Sequence, residues 1–315
     1  MYTLLEYTPA MASRWDAVVE RARNGTFLLR RGYMDYHSDR FADRSLLVSD
    51  SRGDPVAVFA AAELPGAPSA VGAHPGLTYG GLLPAMDLGA TAVVDVTGMI
   101  IDYYRAKGYV RLDVAPVPYI YHRQPADDVT YALWRHGAAM SACLLSAAMQ
   151  PERRLRPDTN TRRNIARGRR EGIAVGEGTD LDAFHAMLAA NLAERHGAAP
   201  VHSAAELRLL AARFPANIRL VEARDAADGS LLAATLLYIT DTCIHTQYIA
   251  STAEGRERRA LAVLFDALME NATRPWLDFG TSNERGGAVL NPGLIRQKYG
   301  FGARGVAYEK FTVEL

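Results

Sequence analysis

WLDFGTSNERGGAVLNPGLIRQKYGFG, residues 276–302, runs from a strand through a polar loop and a short capped helix into a glycine turn. Trp276–Phe279 reads as the strand, with Asp278 near its end, and the following loop bears Ser282 and Glu284. Polar residues on a loop at a strand end are commonly binding groups in open α/β folds. Asn291 caps the helix and Pro292 fills its first position, where a missing N–H costs nothing. Lys298 stands just before Tyr299-Gly300-Phe301-Gly302, whose glycines allow a sharp reversal.

Upstream, the order of elements is regular. An arginine-rich helix covers about Thr159 to Glu171 and stops at Gly172. The strand Ile173–Val175 follows, then a helix with Leu181, Phe184, Leu188 and Leu192 at the spacing of a buried stripe. Ser203 and Glu206 form a capping box for another helix. Three strands come next, Ile218–Ala223, Leu231–Ile239 and Ile244–Ile249, and a helix from about Arg256 to Asn271 leads into Trp276.

The first half has the same order. Tyr2–Thr8 opens as a strand, and Thr8 caps a helix entered through Pro9. A short helix covers about Tyr33–Arg40, strands lie at Ser45–Val48 and Val56–Ala62 with a third expected after the Pro/Gly-rich stretch Pro65–Pro75, and Ala90–Lys107 has helical spacing. Tyr109–Val114, Tyr131–Trp134 and Ala142–Met149 read as strands. Each half is therefore strand, two helices, three strands, helix, strand, short helix, strand. The expected fold is α/β with two tandem units of mixed sheet flanked by helices, residues 1–150 and 151–315.

The chain has 315 residues, enough for two domains, and 35 basic residues balance 35 acidic ones. No global basic field attracts a polyanion, so any contact with nucleic acid must come from a local patch. Cys143 and Cys243 lie in apolar strand-like runs and are expected to be reduced core residues, with no metal site. MYTLLEYTPAMASRW lacks the basic and apolar segments of a signal peptide. No apolar run approaches the length of about 20 residues that spans a bilayer. A cytoplasmic protein without membrane insertion, monomeric or homodimeric, is expected.

TRRNIARGRREGI, Pro200–Ser203, HTQYIAS at His245–Ser251, WLDFGTSNE and GLIRQKYGFG resemble the Fem-type (FemABX) transferases and the related BioF2-like acetyltransferase domains, with a GNAT-type fold. The first half resembles them in layout, with NGTFLLRRGYM and GLTYGG as its matches. The resemblance implies two tandem GNAT-like domains, the N-terminal one degenerate and serving acceptor binding, and no metal. It implies amide formation, with aminoacyl-tRNA as donor in Fem enzymes or acyl-CoA in ordinary acetyltransferases. No tightly bound cofactor is implied, and the long charged helical arm of some cell-wall members is missing.

The candidate catalytic residues are Lys298, Asp278, Tyr248 and His245. By resemblance, Lys298 matches a lysine placed near the transferred carbonyl, where an ammonium would stabilise the developing oxyanion and the leaving ribose oxygen. Asp278 would orient or deprotonate the acceptor amine, unless it only caps the helix that follows. Strand alternation puts His245 and Gln247 on one face and Thr246 and Tyr248 on the other. Tyr248 suits a hydrogen bond to the carbonyl or leaving oxygen and His245 a proton transfer near neutral pH; both equally suit a core face.

Candidate substrate-binding residues are Tyr79, Gln247, Ser282, Glu284, Asn291 and His202, with Tyr79 expected to line an acceptor cleft. Between Arg153 and Arg170 stand eight arginines. Arg163, Arg167 and Arg170 share one helix face, and with Arg162 they suit phosphates of tRNA or of a nucleotide-linked acceptor, or else form a solvated face. TAEGRERRALAVLF after the fourth strand has one glycine, Gly255, where a CoA enzyme carries a glycine-rich pyrophosphate turn. Arg256, Arg258 and Arg259 there are further phosphate candidates through their guanidinium forks, or else the wet face of an amphipathic helix. Aminoacyl-tRNA is the expected donor and acetyl-CoA the alternative. The acceptor is an amine, on a peptidoglycan precursor or natural-product intermediate, or alternatively on an amino sugar or amino acid.

Overall fold

The computed structural model describes residues 1–315, apart from the side chains of Arg195 and His196. The fold is α/β, and the chain divides into two compact units. One comprises residues 1–144, 285–288 and 307–315, the other residues 145–284 and 289–306.

The first unit holds β1 (Thr3–Glu6), α1 (Ala12–Arg21), α2 (Arg31–Met34), β2 (Leu46–Ser49), β3 (Pro55–Ala60), β4 (Ala62–Leu64), β5 (Ala67–Gly72), β6 (Gly81–Pro84), α3 (Ala90–Ala106), β7 (Arg111–Val114) and α4 (Asp128–Arg135). β1, β2, β3 and β6 form an antiparallel sheet, while β5 runs parallel to β7. α3 buries Val93, Val96, Ile100 and Tyr104 at helical spacing, in one cluster with Leu46, Phe59 and Leu112. This burial of apolar area is the main stabilising term of the unit.

Three local expectations change. Tyr131–Trp134 is not a strand but the middle of α4, which buries Val129, Ala132 and Leu133 at helical spacing and exposes Tyr131 and Trp134. The β-favouring aromatics here lose to the period of the small apolar residues between them. Thr8 makes no side-chain cap, because the chain enters through a short 3₁₀ turn at Pro9–Met11 before α1. Cys143 is exposed and only Cys243 is buried.

The second unit takes up the C-terminal half of β8 (Ala139–Met149), followed by α5 (Thr159–Arg170), β9 (Ile173–Gly178), α6 (Leu181–His196), α7 (Ala204–Arg213), β10 (Ile218–Asp225), β11 (Leu231–Ile239) and β12 (Cys243–Ser251). Then come α8 (Ala253–Glu257), α9 (Ala260–Glu270), β13 (Trp276–Thr281), β14 (Asn283–Glu284), β15 (Val289–Leu290), α10 (Pro292–Gly300) and the start of β16 (Arg304–Glu314), whose residues from 307 on belong to the first unit. The sheet order is β8-β13-β12-β11-β10-β9. Among these pairs only β12–β13 is parallel. The Ser203–Glu206 capping box and the Asn291 cap form as their sequences dictate.

The helix expected over Arg256–Asn271 is instead two helices, broken at Arg259, whose φ of 65° is left-handed. Gly255 lies in the first of them, and a Cβ there would collide with the main-chain carbonyl of Leu232. Its role is thus packing of α8 onto β11. Helix propensity alone would make Gly255→Ala stabilising by about 1 kcal/mol. The collision should win, with a net loss of about 1–3 kcal/mol, read as a lower urea midpoint at unchanged slope. Equal stability of the variant would show that α8 shifts freely and that the glycine serves another purpose.

Candidate functional site

β12 and β13 pair over three residues only, Cys243 with Trp276, Ile244 with Leu277 and His245 with Asp278, and then part. β13 turns at Gly280, where φ is 76°, and regains register with β8 at Thr281 and Ser146. Only glycine adopts that backbone without steric cost. The parted edge of β12 would carry unpaired peptide groups, which are costly when buried. Asn191 of α6 takes the place of a strand there. Its Nδ2 donates to Ser251 O at 3.0 Å, and Ser251 N donates to its Oδ1 at 3.0 Å.

Asp278 anchors the point of parting. It is fully buried and accepts from Ser146 Oγ at 2.5 Å and from Gly280 N at 2.9 Å, while its Oδ2 lies 2.8 Å from His245 Nδ1. With Nδ1 donating, the neutral imidazole of His245 carries its lone pair on Nε2. His245 packs on Gly280, since a Cβ at Gly280 would lie 3.4 Å from its ring. Asp278 is therefore neither a helix cap nor open to an amine. It fixes the turn at Gly280.

That turn holds Lys298. The Nζ donates to Gly280 O at 2.8 Å and Thr281 O at 2.7 Å, which employs two of its three donors. The side chain is 7% exposed. Burial lowers its pKa to about 8, against the upward pull of the Asp278 carboxylate.

Lys298 borders a cavity of about 730 Å³ at the opening. Asp158, Asn160, Thr161 and Asn164 wall it from α5 and the residue before it, and Asn191, Ile249 and Ser251 from α6 and β12. Phe265, Phe279 and Phe301 add an aromatic wall, with rings 5.2–5.9 Å apart. The Tyr-Gly-Phe-Gly turn closes it against the start of α5. A Cβ at Gly300 would lie 2.7 Å from Thr161 Oγ1, and one at Gly302 would collide with Leu155 O.

Of the expected phosphate ligands, Arg256 and Arg259 line this cavity, and Arg296 joins them. Arg258 does not. Asp225 and Glu254 at 2.5 and 2.7 Å and Glu171 at 3.5 Å hold it within the fold, and the first two keep its guanidinium firmly charged. On α5 the cavity side is Asn160, Thr161 and Asn164, so Arg162, Arg163, Arg167 and Arg170 lie off it. Arg162 bonds Thr159 Oγ1 and Arg167 pairs with Glu171 at 2.8 Å.

The remaining candidates are dispersed. Gln247 sits at a β-bulge, where β11 pairs with Thr246 and then Tyr248 but not with it, so the expected alternation of faces breaks at this residue. Tyr248 OH lies 2.6 Å from Nδ1 of buried His202. Burial raises the pKa of this phenol, offset in part by a hydrogen bond from Gln247. Ser282 is buried, and Asn291 joins Glu284 at 2.7 Å in the loop. Tyr79 does not face a cleft: its ring is 3% exposed, its hydroxyl is 3.3 Å from Thr26 Oγ1, and it packs on Tyr121.

Asn191, Ser146 and Arg296 escape a sequence reading because each gains its role from a residue remote in the chain. Among the described residues, no group of three His, Cys, Asp or Glu is arranged to hold a metal. No helix among them is long and apolar enough to cross a membrane.

Residues 159–285 match the family model for an acetyltransferase (GNAT) domain. With the parted strands and the cavity beside them, this match identifies residues 159–285 as an acetyltransferase (GNAT) domain and supports an acyltransferase. In fold the structure is similar to FemX, with a TM-score of 0.70 at 12% identity, over 99% of this chain and 97% of that one. L-PGS from Bacillus licheniformis gives 0.63 at 10% identity, over 98% and 92%. A C-terminal domain from Agrobacterium fabrum, described as that of a lysylphosphatidylglycerol synthetase, gives 0.62 at 12%, over 96% and 91%. No curated protein matches the chain in sequence.

Asp278→Ala should remove the acceptor for three donors at once. Leaving such partners buried and unpaired costs about 3–5 kcal/mol, measured by urea unfolding. A loss below about 1 kcal/mol, under that range, would show that the turn at Gly280 stands without the carboxylate.

Proposed function

We propose that the protein forms an amide by moving an aminoacyl group from aminoacyl-tRNA to an amine acceptor. The carrying observation is the cavity where β12 and β13 part, bordered by Lys298 and by Arg256, Arg259 and Arg296. An acetyl-CoA enzyme would present free main-chain amides after β12. Here the Gly255 amide is taken by Thr252 Oγ1 at 2.9 Å, and the space beside Gly255 is filled by Leu232. Phosphate recognition then falls to guanidinium groups, which suit separate phosphodiesters of an RNA 3′ end. The fold-level likeness to FemX and to the synthetase domain fits this reading.

In the reaction the amine nitrogen bonds the ester carbonyl carbon and the carbon–oxygen bond to the ribose breaks. The nitrogen loses one proton and the ribose oxygen gains one. The third N–H of Lys298 stabilises the oxyanion of the tetrahedral intermediate, held by two main-chain carbonyls and costing no reorganisation at the moment of attack. Its pKa near 8 also suits proton delivery to the leaving oxygen. Asp278, Ser146 and His245 position this lysine through Gly280, and the first unit serves acceptor binding.

Lys298→Ala should lower single-turnover transfer about 10²–10³-fold with donor affinity nearly unchanged. Because the ammonium is the active form, wild-type transfer should fall as pH rises through about 8. A variant that folds normally and works within about threefold of wild type, far less than one preorganised donor contributes, makes Lys298 structural. Ribonuclease should abolish transfer from a charged tRNA mixture; transfer that survives ribonuclease and needs acetyl-CoA would replace the donor.

The arginine face of α5 gets a separate test. Arg163 and Arg170 have no acidic partner among the described residues, so they remain available to the body of a tRNA. Replacing Arg163, Arg167 and Arg170 by Gln should weaken tRNA binding and flatten its salt dependence by up to about two units of slope. Identical binding at low and high salt would reduce the stripe to a solvated face.

A further inference from the structure

Beyond the pair His245–Asp278, no strand pairs with the parted edge of β12 among the described residues. Such an edge invites an extended chain to pair with it. Thr252 N donates to Leu232 O of β11. Main-chain groups alternate in direction along a strand, so those of Ile249 and Ser251 turn away from β11, toward the opening. Both residues line the cavity, as do Lys298 and Arg256. The pantetheine arm of coenzyme A, two amides in an extended chain, matches an open edge of this kind; an RNA 3′ end has no amide. Here, however, the edge is shut at Ser251. Its N–H donates to Asn191 Oδ1 at 3.0 Å, and its carbonyl accepts from Asn191 Nδ2 at 3.0 Å and from Arg256 at 3.2 Å. That takes the one main-chain donor and both lone pairs of the carbonyl. Ser251 is 1% exposed, so a ligand amide bonds there only by displacing the carboxamide.

We propose that Asn191 is a donor-excluding residue: its carboxamide occupies the main-chain edge that a pantetheine arm would pair with, and so selects against acyl-CoA. One donor and one acceptor on a single side chain stand in for the missing strand, and a specificity built by denying a competitor its bonds needs no contact with the accepted donor. Phosphates do not enter the argument, since both donors carry them. The inference rests on the donor reading above for the donor that is accepted, and not for the one that is refused.

The test compares Asn191→Ala and Asn191→Ser with the wild type in the full chain. Dephospho-coenzyme A and ADP are titrated by calorimetry, alongside an unacylated fluorescein-labelled RNA ending in CCA and thermal melting. The first two probes differ by the pantetheine arm, so the ratio of their dissociation constants reads the arm and not the phosphates. In the wild type the arm should add nothing. In both variants the ratio should rise about tenfold in favour of dephospho-coenzyme A, the effect of one or two recovered main-chain hydrogen bonds. That probe should also raise the Tm of the variants and not of the wild type, while RNA binds all three proteins alike. The serine variant decides if the alanine variant does not melt cooperatively. An arm that already tightens binding to the wild type about tenfold, the whole effect expected of the variants, overturns the proposal. So does a ratio that neither variant changes, including no binding of either probe, or a loss of RNA affinity in both variants. A gain for dephospho-coenzyme A in the variants, with no RNA bound by the wild type, would overturn the tRNA donor while leaving Asn191 in its role.

Discussion

The buried carboxylate of Asp278 is the constraint from which the site follows. A carboxylate removed from water is tolerated only when donors surround it, and Ser146, His245 and the Gly280 amide do so. The Gly280 amide can reach it only if β13 turns away from β12 directly after the pair His245–Asp278. The same turn aims the carbonyls of Gly280 and Thr281 at one point, and Lys298 fills it. One buried charge thereby fixes the parting of the strands and the place of the ammonium.

The walls depend on close approaches that only missing side chains permit. Gly300 and Gly302 bring the end of α10 against the start of α5, and Gly168 brings α5 against the junction of α8 and α9. Asn191 satisfies Ser251 where no strand can. The Tyr-Gly-Phe-Gly signature is thus a packing device as much as a turn: Phe301 joins Phe265 and Phe279 in the aromatic wall, while its glycines admit Leu155 and Thr161.

Much of this was legible in the chain, for definite reasons. Caps are local, so Ser203–Glu206 and Asn291–Pro292 could be read directly. Lys298 was singled out by resemblance, from its place just before the glycine turn. The bulge at Gln247 was not, because it is a relation between β12 and β11 that alternation within β12 cannot reveal. The break at Arg259 was hidden for a similar reason: RERRALAVLF carries no helix breaker, and the left-handed residue is imposed by packing against Gly168. Arginines were the hardest to sort. Arg256, Arg258 and Arg259 look alike in sequence, yet three carboxylates from separate elements remove Arg258 from the cavity. Tyr79 misled because a tyrosine among glycines reads as an open loop, while its ring fills a gap beside Tyr121.

Charge bears last on the choice of donor. With 35 basic and 35 acidic residues, the protein has no long-range field to draw in a polyanion, and exposed charges beyond about 8–10 Å are screened in the cell. Discrimination must then arise at the cavity itself, where low-dielectric walls strengthen each interaction. Asp158 is the one carboxylate among its lining residues, and its Oδ1 accepts from Thr161 N in the cap of α5. Lys298 and three arginines face that space and outnumber the carboxylate there, so the mouth carries a net positive charge that favours an anion. On the proposed reading, a phosphate-bearing donor neutralises the mouth and leaves the Lys298 ammonium to act on the one charge that appears later, on the carbonyl oxygen during attack.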